Sequence, residues 1–494
     1  MWRPPRVLLI ALALAWDARL SAQCADGTPP PCRAPAASAS PRPNTVAVLY
    51  FDNLTRDSVY TYLADGLTED LIALLGGVVR LEVKSRFESA RIREEHGLGP
   101  SDIGRQLHVA YLVSGSVQPG SGRIRVNTEL IEARSGRRVW GERLTVSGTD
   151  PLAVQESIST AVVRAVVGAL LPEEQVTLHR RATRDSAAYD LYLRGRFFVS
   201  RLDPRRGVEL YRQALSHDST FAPAWAGIAQ AWYWLAGGLP PLEAFAHVRE
   251  AAQRALALDS SMALAYLSLS YSAHQIERDF ARAEQLARRA IDLDPRLADA
   301  HAFLGWILID RGRPGDAFVE SERAWQLDSL SIAIEVGRWN TLQFIGRAGD
   351  VLAQARAQHW TFFVAHALLL LRHCAEAQDV LKQETGRGWI YYWEETVAAA
   401  CLGEEATARA ALDSLTGMAQ VEYVESIRLA TAHAALGDAD EAYRWIARAD
   451  ESREFDVLYL NAPWWWLAPV QADPRFLPLV HRLGIPWPAP HLSN

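Results

Sequence analysis

After Pro172 four short segments of this 494-residue chain fall into register. They read RQALSHD (Arg212–Asp218), QRALALD (Gln253–Asp259), RRAIDLD (Arg288–Asp294) and ERAWQLD (Glu322–Asp328). Their central alanines, Ala214, Ala255, Ala290 and Ala324, are spaced by 41, 35 and 34 residues. Helical periodicity fills the intervals and strand signals are absent from them. A unit this small cannot bury its own apolar face, so it must lay that face on the next unit, and the chain is constrained to stacked helix pairs. The longer first interval carries an insertion, AGGLPPLEA (Ala236–Ala244). Gly305 and Ala317 place small residues where two antiparallel helices cross, and aromatic residues such as Trp225 and Trp232 fill the gaps that remain.

The spacing, the Gly–Ala pair and Pro295 at the closing turn resemble tetratricopeptide repeats. The resemblance implies an all-α tetratricopeptide-repeat superhelix over 185–335, whose first helices line a concave groove for a protein or peptide partner. By register, Tyr192, Arg196, Gln230, Tyr233, Gln275, Trp306 and Asp310 are the groove candidates, offering polar and aromatic contacts to an extended ligand. Residues 336–460 keep the helical period but lose the signature, and are read as degenerate repeats. Residues 461–494, rich in Pro and Trp, are read as a C-terminal cap.

Residues 45–172 have a different character. TVAVLYF (Thr45–Phe51) is a continuous apolar run, as a strand covered on both faces requires. A helix is expected from Ser58 to Leu75 and a second strand in VRLEV (Val79–Val83). Short helices follow at Arg86–Glu95 and Ser101–His108. Three more strands are expected at Ala110–Val117, Arg123–Ala133 and Arg138–Val146, and a helix at Pro151–Leu170. The result is an α/β mixed-sheet N-terminal domain. VAVLYFDNL (Val46–Leu54), LADGLTEDLI (Leu63–Ile72), DIGRQLHVAYLVSGSV (Asp102–Val117) and LIEARSGRRVWGERL (Leu130–Leu144) together resemble the TolB amino-terminal-like domain of bacterial regulatory proteins. In that family tetratricopeptide repeats commonly follow and end in a segment like DPRFLPLVHRLGIP (Asp473–Pro486). The resemblance implies an accessory module, often joined to a transcription-factor, kinase or nucleotide-cyclase domain. Here a leader and a tether stand where such an effector would be.

Within this domain LADGLTEDLIAL (Leu63–Leu74) gathers Asp65, Glu69 and Asp70 beside Gly66. On a helix, Val59, Leu63, Leu67, Leu71 and Leu74 make one apolar face, and the carboxylates fall on another. They are expected on a solvated or partner-facing surface. Gly66 costs about 1 kcal/mol in a helix interior, so a close approach of another backbone, that of the sheet, is expected there.

The chain opens with MWRPPR, the ten-residue apolar run VLLIALALAW (Val7–Trp16) and the small residues of LSA (Leu20–Ala22). Such a run is too short for a bilayer core, which needs about 20 residues. It reads as a cleaved signal peptide over 1–22, followed by a Pro/Ala/Ser-rich tether over 23–44. Export to the periplasm or cell envelope is expected, with no transmembrane span in the mature chain. Cys24 would be the lipidated residue if the leader were that of a lipoprotein. Export permits disulfides: Cys24 with Cys32 could close a small loop, and Cys374 and Cys401 could pair or remain buried thiols. The net charge of −7 and the 51 scattered basic residues, all arginine except Lys84 and Lys382, give no nucleic-acid footprint. No H-E-x-x-H, G-x-S-x-G or P-loop is present, and neither a metal nor a cofactor is called for. The reading is therefore a non-enzymatic scaffold. The alternative is an envelope carbohydrate binder or enzyme, using the Asp65/Glu69 helix or the tryptophans of AWYWLAGG (Ala231–Gly238), WIYYWEE (Trp389–Glu395) and WWWL (Trp464–Leu467).

Overall fold

Val46, Ala47 and Val48 are fully buried, and their alternation decides how the first domain is layered. In the computed structural model, which describes residues 42–55, 60–95, 97–120, 123–147, 151–179, 181–201, 203–329, 331–384 and 386–487, they form β1 (Thr45–Val48). The expected leader, most of the tether, and Cys24 and Cys32 lie outside the described residues. Successive strand side chains point to opposite faces. Val46 and Val48 face α1 (Thr61–Gly76), with Val113 and Val117 beside them. Ala47 and Leu112 face the opposite way, onto α2 (Arg86–Glu94) and α3 (Pro100–Leu107) through Ile92, Ile103 and Leu107.

The strand is shorter than its apolar run. Phe51 donates its N–H to Thr68 Oγ1 of α1 at 3.0 Å instead of to a strand. Its ring slides over Gly115, where a Cβ would lie 2.6 Å from it. Pairing resumes at β2 (Asp52–Asn53). The run Val79–Val83 yields only β3 (Glu82–Val83) for a similar reason. Val79 is exposed, and Arg80 turns away to donate to Val167 O (3.0 Å) and Ala169 O (2.9 Å), at the carbonyl end of α4 (Pro151–Val167) where a helix dipole favours a cation. β4 (Tyr111–Gly120), β5 (Arg123–Glu132) and β6 (Arg137–Ser147) form a meander. The sheet order is β3-β1-β4-β5-β6, with β2 on β4; β1 is parallel to both neighbours and the meander is antiparallel. α4 closes the face that α1 covers, and α5 (Pro172–His179) leads out.

Eight antiparallel helix pairs follow. They are α6 (Ser186–Ser200) with α7 (Pro204–His217), α8 (Ala222–Leu235) with α9 (Pro241–Leu258), and α10 (Ala263–Ser272) with α11 (Phe280–Leu293). Next come α12 (Ala298–Asp310) with α13 (Pro314–Leu327), α14 (Ile332–Phe344) with α15 (Ala348–Ala357), and α16 (Thr361–Leu370) with α17 (Cys374–Leu381). The last are α18 (Trp389–Leu402) with α19 (Glu405–Met418), and α20 (Ser426–Ala435) with α21 (Ala439–Glu451). The registered alanines Ala214, Ala255, Ala290 and Ala324 are all fully buried in second helices. Gly195 and Gly227 both lie flat on the Tyr211 ring, where an added Cβ would come within 2.6 Å, so α6, α7 and α8 lock around one tyrosine. First helices of successive pairs pack on one another, α6 on α8, α8 on α10 and α12 on α14, which sets them on the concave side of a tetratricopeptide-repeat superhelix. Beyond α21 the chain runs through 3-10 turns at Phe455–Asn461 and Trp465–Leu467, then α22 (Ala468–Gln471) and α23 (Phe476–Leu483). No helix among the described residues is long and apolar enough to cross a membrane.

Cys374 and Cys401 form a disulfide between the start of α17 and the end of α18, with Cα atoms 6.1 Å apart across 27 residues of chain. Closing a loop of that length removes about 3–4 kcal/mol of unfolded-state freedom. Cys374→Ser with Cys401→Ser is expected to lower unfolding stability by about that amount; urea titration by circular dichroism reads it.

Candidate binding groove

The groove has two ends, and the chain itself occupies both. At the first, α1 lies against α6. Gly66 faces Leu193 of α6, whose Cδ2 would sit 2.9 Å from an added Cβ. The close approach required by this glycine is thus to a repeat side chain, where the sequence reading expected the sheet backbone. The carboxylates beside it are not an open surface either. Arg196 forks across two of them, Nη1 to Asp70 Oδ1 at 2.6 Å and Nη2 to Glu69 Oε2. Gln155 Nε2 donates to Asp70 Oδ2 at 2.7 Å, and the Tyr189 hydroxyl donates to the same oxygen. Arg86 Nη1 stands 3.6 Å from Glu69, the Tyr50 hydroxyl donates to it at 3.3 Å, and Arg93 pairs with Asp65 at 2.8 Å. A solvated acidic face is therefore corrected to a half-buried ion network between the two domains. Tyr62 extends it, donating to Asp190 Oδ1 at 2.5 Å, with Arg194 on the other Asp190 oxygen at 2.8 Å.

The two adjacent acids titrate in opposite directions. Burial pushes Glu69 up, but Arg86 and Arg196 outweigh it and hold the carboxyl below its usual value. For Asp70 burial outweighs Arg196, and the carboxyl is raised. Of the sequence-predicted groove residues, Arg196 is thus committed to the neighbouring domain, and Tyr192 packs among Tyr211 (5.8 Å) and Phe221 (5.0 Å).

At the other end the C-terminal segment crosses onto the early repeats. Asp450 pairs with Arg278 and with Arg482 (3.0 Å). Gln275 Nε2 donates to Arg453 O at 3.4 Å. The Phe455 ring sits 5.4 Å from His274 and 4.8 Å from Trp306, and Tyr459 sits 6.0 Å from Trp306 and 5.1 Å from Phe344. Asp310 is buried, with Oδ2 2.7 Å from His274 Nε2, and burial raises its carboxyl above the usual range. Gln275, Trp306 and Asp310 are thereby brought together, but under a cover made by the chain itself. Between the two ends, Tyr233 stacks on Tyr271 at 3.7 Å and 9°, Tyr271 meets Phe303 at 4.3 Å, and Gln230 is half-buried one turn away.

Sequence reasoning missed Arg86, Arg278, Asp450, Phe455 and Tyr459. Only the last three carried a signal: DESREFDVLY (Asp450–Tyr459) mixes acids with large apolar residues just where the helix period stops. The tryptophan stretches pack inward in part. Trp393 donates to Thr431 Oγ1 (2.9 Å), Trp465 to Leu369 O (2.8 Å), and Trp466 is fully buried, while Trp234 stays partly exposed. No group of three metal-ligating side chains occurs among the described residues.

Behind this wall lies a buried His366–Glu394 pair, Nδ1 to Oε1 3.2 Å. Burial lowers His366 to about 3 and raises Glu394 well above the carboxylate range, so both are neutral in the fold. A carboxyl raised in the folded state stabilises fully below its unfolded value, near 4.3, and loses that contribution as pH rises. Glu394→Gln is therefore expected to raise the melting temperature at pH 8 and to change it little at pH 4. Arg196→Ala leaves Glu69 to Arg86 and Tyr50 and Asp70 to Gln155 and Tyr189, and is expected to cost about 2–4 kcal/mol. Adding Glu69→Gln and Asp70→Asn to it should recover much of that loss in the same urea titration.

Compared with models of known protein families, the sequence matches none. A curated relative from Rhizobium meliloti, named "Putative adenylate cyclase 3", is 32% identical over 194 residues, which is 38% of this chain. The chain spans about a third of that protein's length, 32%. Among solved structures, PilF of Pseudomonas aeruginosa is 17% identical, covering 50% of this chain and 96% of its own, with a TM-score of 0.28. A tetratricopeptide repeat protein from Parabacteroides merdae is 12% identical, covering 58% and 100%, with a TM-score of 0.30. TolB from Acinetobacter baumannii is 16% identical, covering 27% and 30%, with a TM-score of 0.19.

Proposed function

We propose that this chain is an exported, non-enzymatic scaffold of the cell envelope. It holds protein or peptide partners in the concave groove of its repeats, and a TolB amino-terminal-like domain braces the first repeat. The observation that carries this reading is the array itself: eight stacked pairs whose first helices are linked by ring contacts, Tyr233 on Tyr271 and Tyr271 on Phe303, with Trp306 one turn further on. Aromatic rings on rigid helices give large contact area at low entropic cost, which is what a recognition surface needs. The leader-like Val7–Trp16 and the Cys374–Cys401 disulfide support the exported location. The mixed sheet with helices on both faces supports the TolB-like assignment.

The test is in-cell cross-linking of the mature protein. A photo-reactive residue at Gln230 is expected to trap a defined envelope protein, and one at exposed Glu209, on the second helix α7, is not. Equal trapping at both positions, or at neither, overturns the groove as the binding face.

The named cyclase relative favours one further arrangement, in which this type of region serves as the accessory part of a larger enzyme. The purified chain is accordingly expected to form no cyclic AMP from ATP with magnesium or manganese. Turnover that is lost on Asp65→Asn with Glu69→Gln would instead support the enzyme reading.

A further inference from the structure

The strip Asp450–Tyr459 is not a ninth repeat. Its two sides do different work. Val457, Leu458 and Leu460 are buried in the core of the last repeats. Asp450, in the last turn of α21, and Phe455 and Tyr459 beyond it reach the other way to Arg278 and Trp306 in the third and fourth pairs. Glu454 accepts from the Ser426 and Ile427 N–H groups, and Asp456 pairs with Arg428, on the eighth pair. The strip is seated on the groove as a ligand would be, with an acid on an arginine and an aromatic on a tryptophan–histidine shelf.

The fit is incomplete, and the mismatch lies on the groove side. Arg278 is nine-tenths buried, yet its Nη2 finds no acceptor. Asp310 Oδ1 and His274 Nδ1, beneath the Phe455 ring, are also buried without partners. A buried polar atom left unpaired is destabilising, so a better ligand has something to gain there. Beside these atoms opens a cleft of about 560 Å³, lined by Arg278, Phe280, Asp310, Arg311, Gly484 and Ile485. It is large enough for a side chain or two of an incoming strand.

We infer that the groove recognises peptides carrying an acidic residue followed, about five positions later, by an aromatic one, and that Asp450–Tyr459 is a resident copy of that motif which the partner displaces. This rests on the scaffold reading above and names the partner's chemistry. The incoming carboxylate takes Arg278, including its unused Nη2. The incoming ring replaces Phe455 on Trp306 and His274. A free peptide can place both oxygens without the tether that fixes Asp450 between Arg278 and Arg482. The cleft lining is mixed in charge, with Asp279 and Asp310 beside Arg278, and Arg311 paired with Glu284 at 3.0 Å, so the acid preference rests on Arg278, flanked by Arg482 from α23.

The probe is a fluorescein-labelled peptide with the sequence of residues 449–461, titrated into the full chain by fluorescence anisotropy. Phe455→Ala in the chain vacates the shelf and is expected to tighten peptide binding at least tenfold over the unaltered chain. Adding Arg278→Gln should abolish the gain, and a peptide with Asp450 and Phe455 replaced by Asn and Ala should not bind. Asp450→Asn in the chain, which releases only the polar half, provides the same reading with the aromatic packing intact, should Phe455→Ala fail to fold. A Gln275→Cys, Arg453→Cys chain, oxidised to lock the strip in place, should lose binding and regain it on reduction. Equal affinity for the locked, unaltered and vacated chains overturns the inference, as does no binding to a folded vacated chain. In either case a partner trapped at Gln230 would leave the scaffold reading standing.

Discussion

A stack of helix pairs buries apolar surface only where each pair has a neighbour, so the two ends of the stack are its weak points. In this chain the first end is closed by Leu193 on Gly66 and by the Arg196 fork on Glu69 and Asp70. That contact makes one core of what would otherwise be two. The buried cluster that begins at Val46 in the sheet runs without a break through α1 and α4 to Ala265 in the third pair. Gly66, unfavourable by about 1 kcal/mol as a helix residue, is what allows α1 and α6 to meet at all.

The ion network at this junction specifies rather than merely stabilises. Charges this far out of water recover their desolvation only when geometry is good and every oxygen is used. Asp70 has acceptor contacts with Arg196, Gln155 and Tyr189, and Glu69 has Arg196, Arg86 and Tyr50. A one-turn slip of α6 along α1 would break the Arg196 and Tyr189 contacts, leaving Asp70 with Gln155 and Glu69 with Arg86 and Tyr50. The fit of Leu193 on Gly66 limits the slip sterically, and the two α6 contacts limit it electrostatically. The role of the carboxylates in LADGLTEDLIAL is to help fix the register of the docking that the leucines drive.

Legibility in the sequence followed the range of the interaction. The repeats were readable because each helix is set by its own periodicity and by small residues at a fixed spacing. Ala214, Ala255, Ala290 and Ala324 all lie where that rule puts them. The meander was readable because β5 alternates strictly. β1 and β3 came out shorter than their apolar runs because Thr68 and the end of α4 capture Phe51 and Arg80, and both partners are remote in sequence. The candidate groove residues were chosen by helix register, which predicts the inward direction and nothing about what lies there. Arg196 and Gln275 bond within the chain instead, one to Asp70 and the other to Arg453, across 126 and 178 residues. No local pattern encodes contacts of that span.

In the proposed scaffold the strip over the third and fourth pairs would set the groove's working affinity. An array with Trp306 and Phe344 uncovered would present apolar surface to solvent. Covering it with a tethered strip removes that exposure but lowers the fraction of chains open to a partner, and apparent affinity falls in proportion to that fraction. A closed state favoured by about 1.4 kcal/mol weakens binding tenfold. The unpaired Nη2 of Arg278 and Oδ1 of Asp310 work against the closed state, so the cover is held by Phe455 and Asp450 while part of the polar floor beneath it stays unsatisfied. Tight self-occupancy would have required partners for those atoms from the strip itself. Their absence is what the proposed displacement by a ligand would exploit.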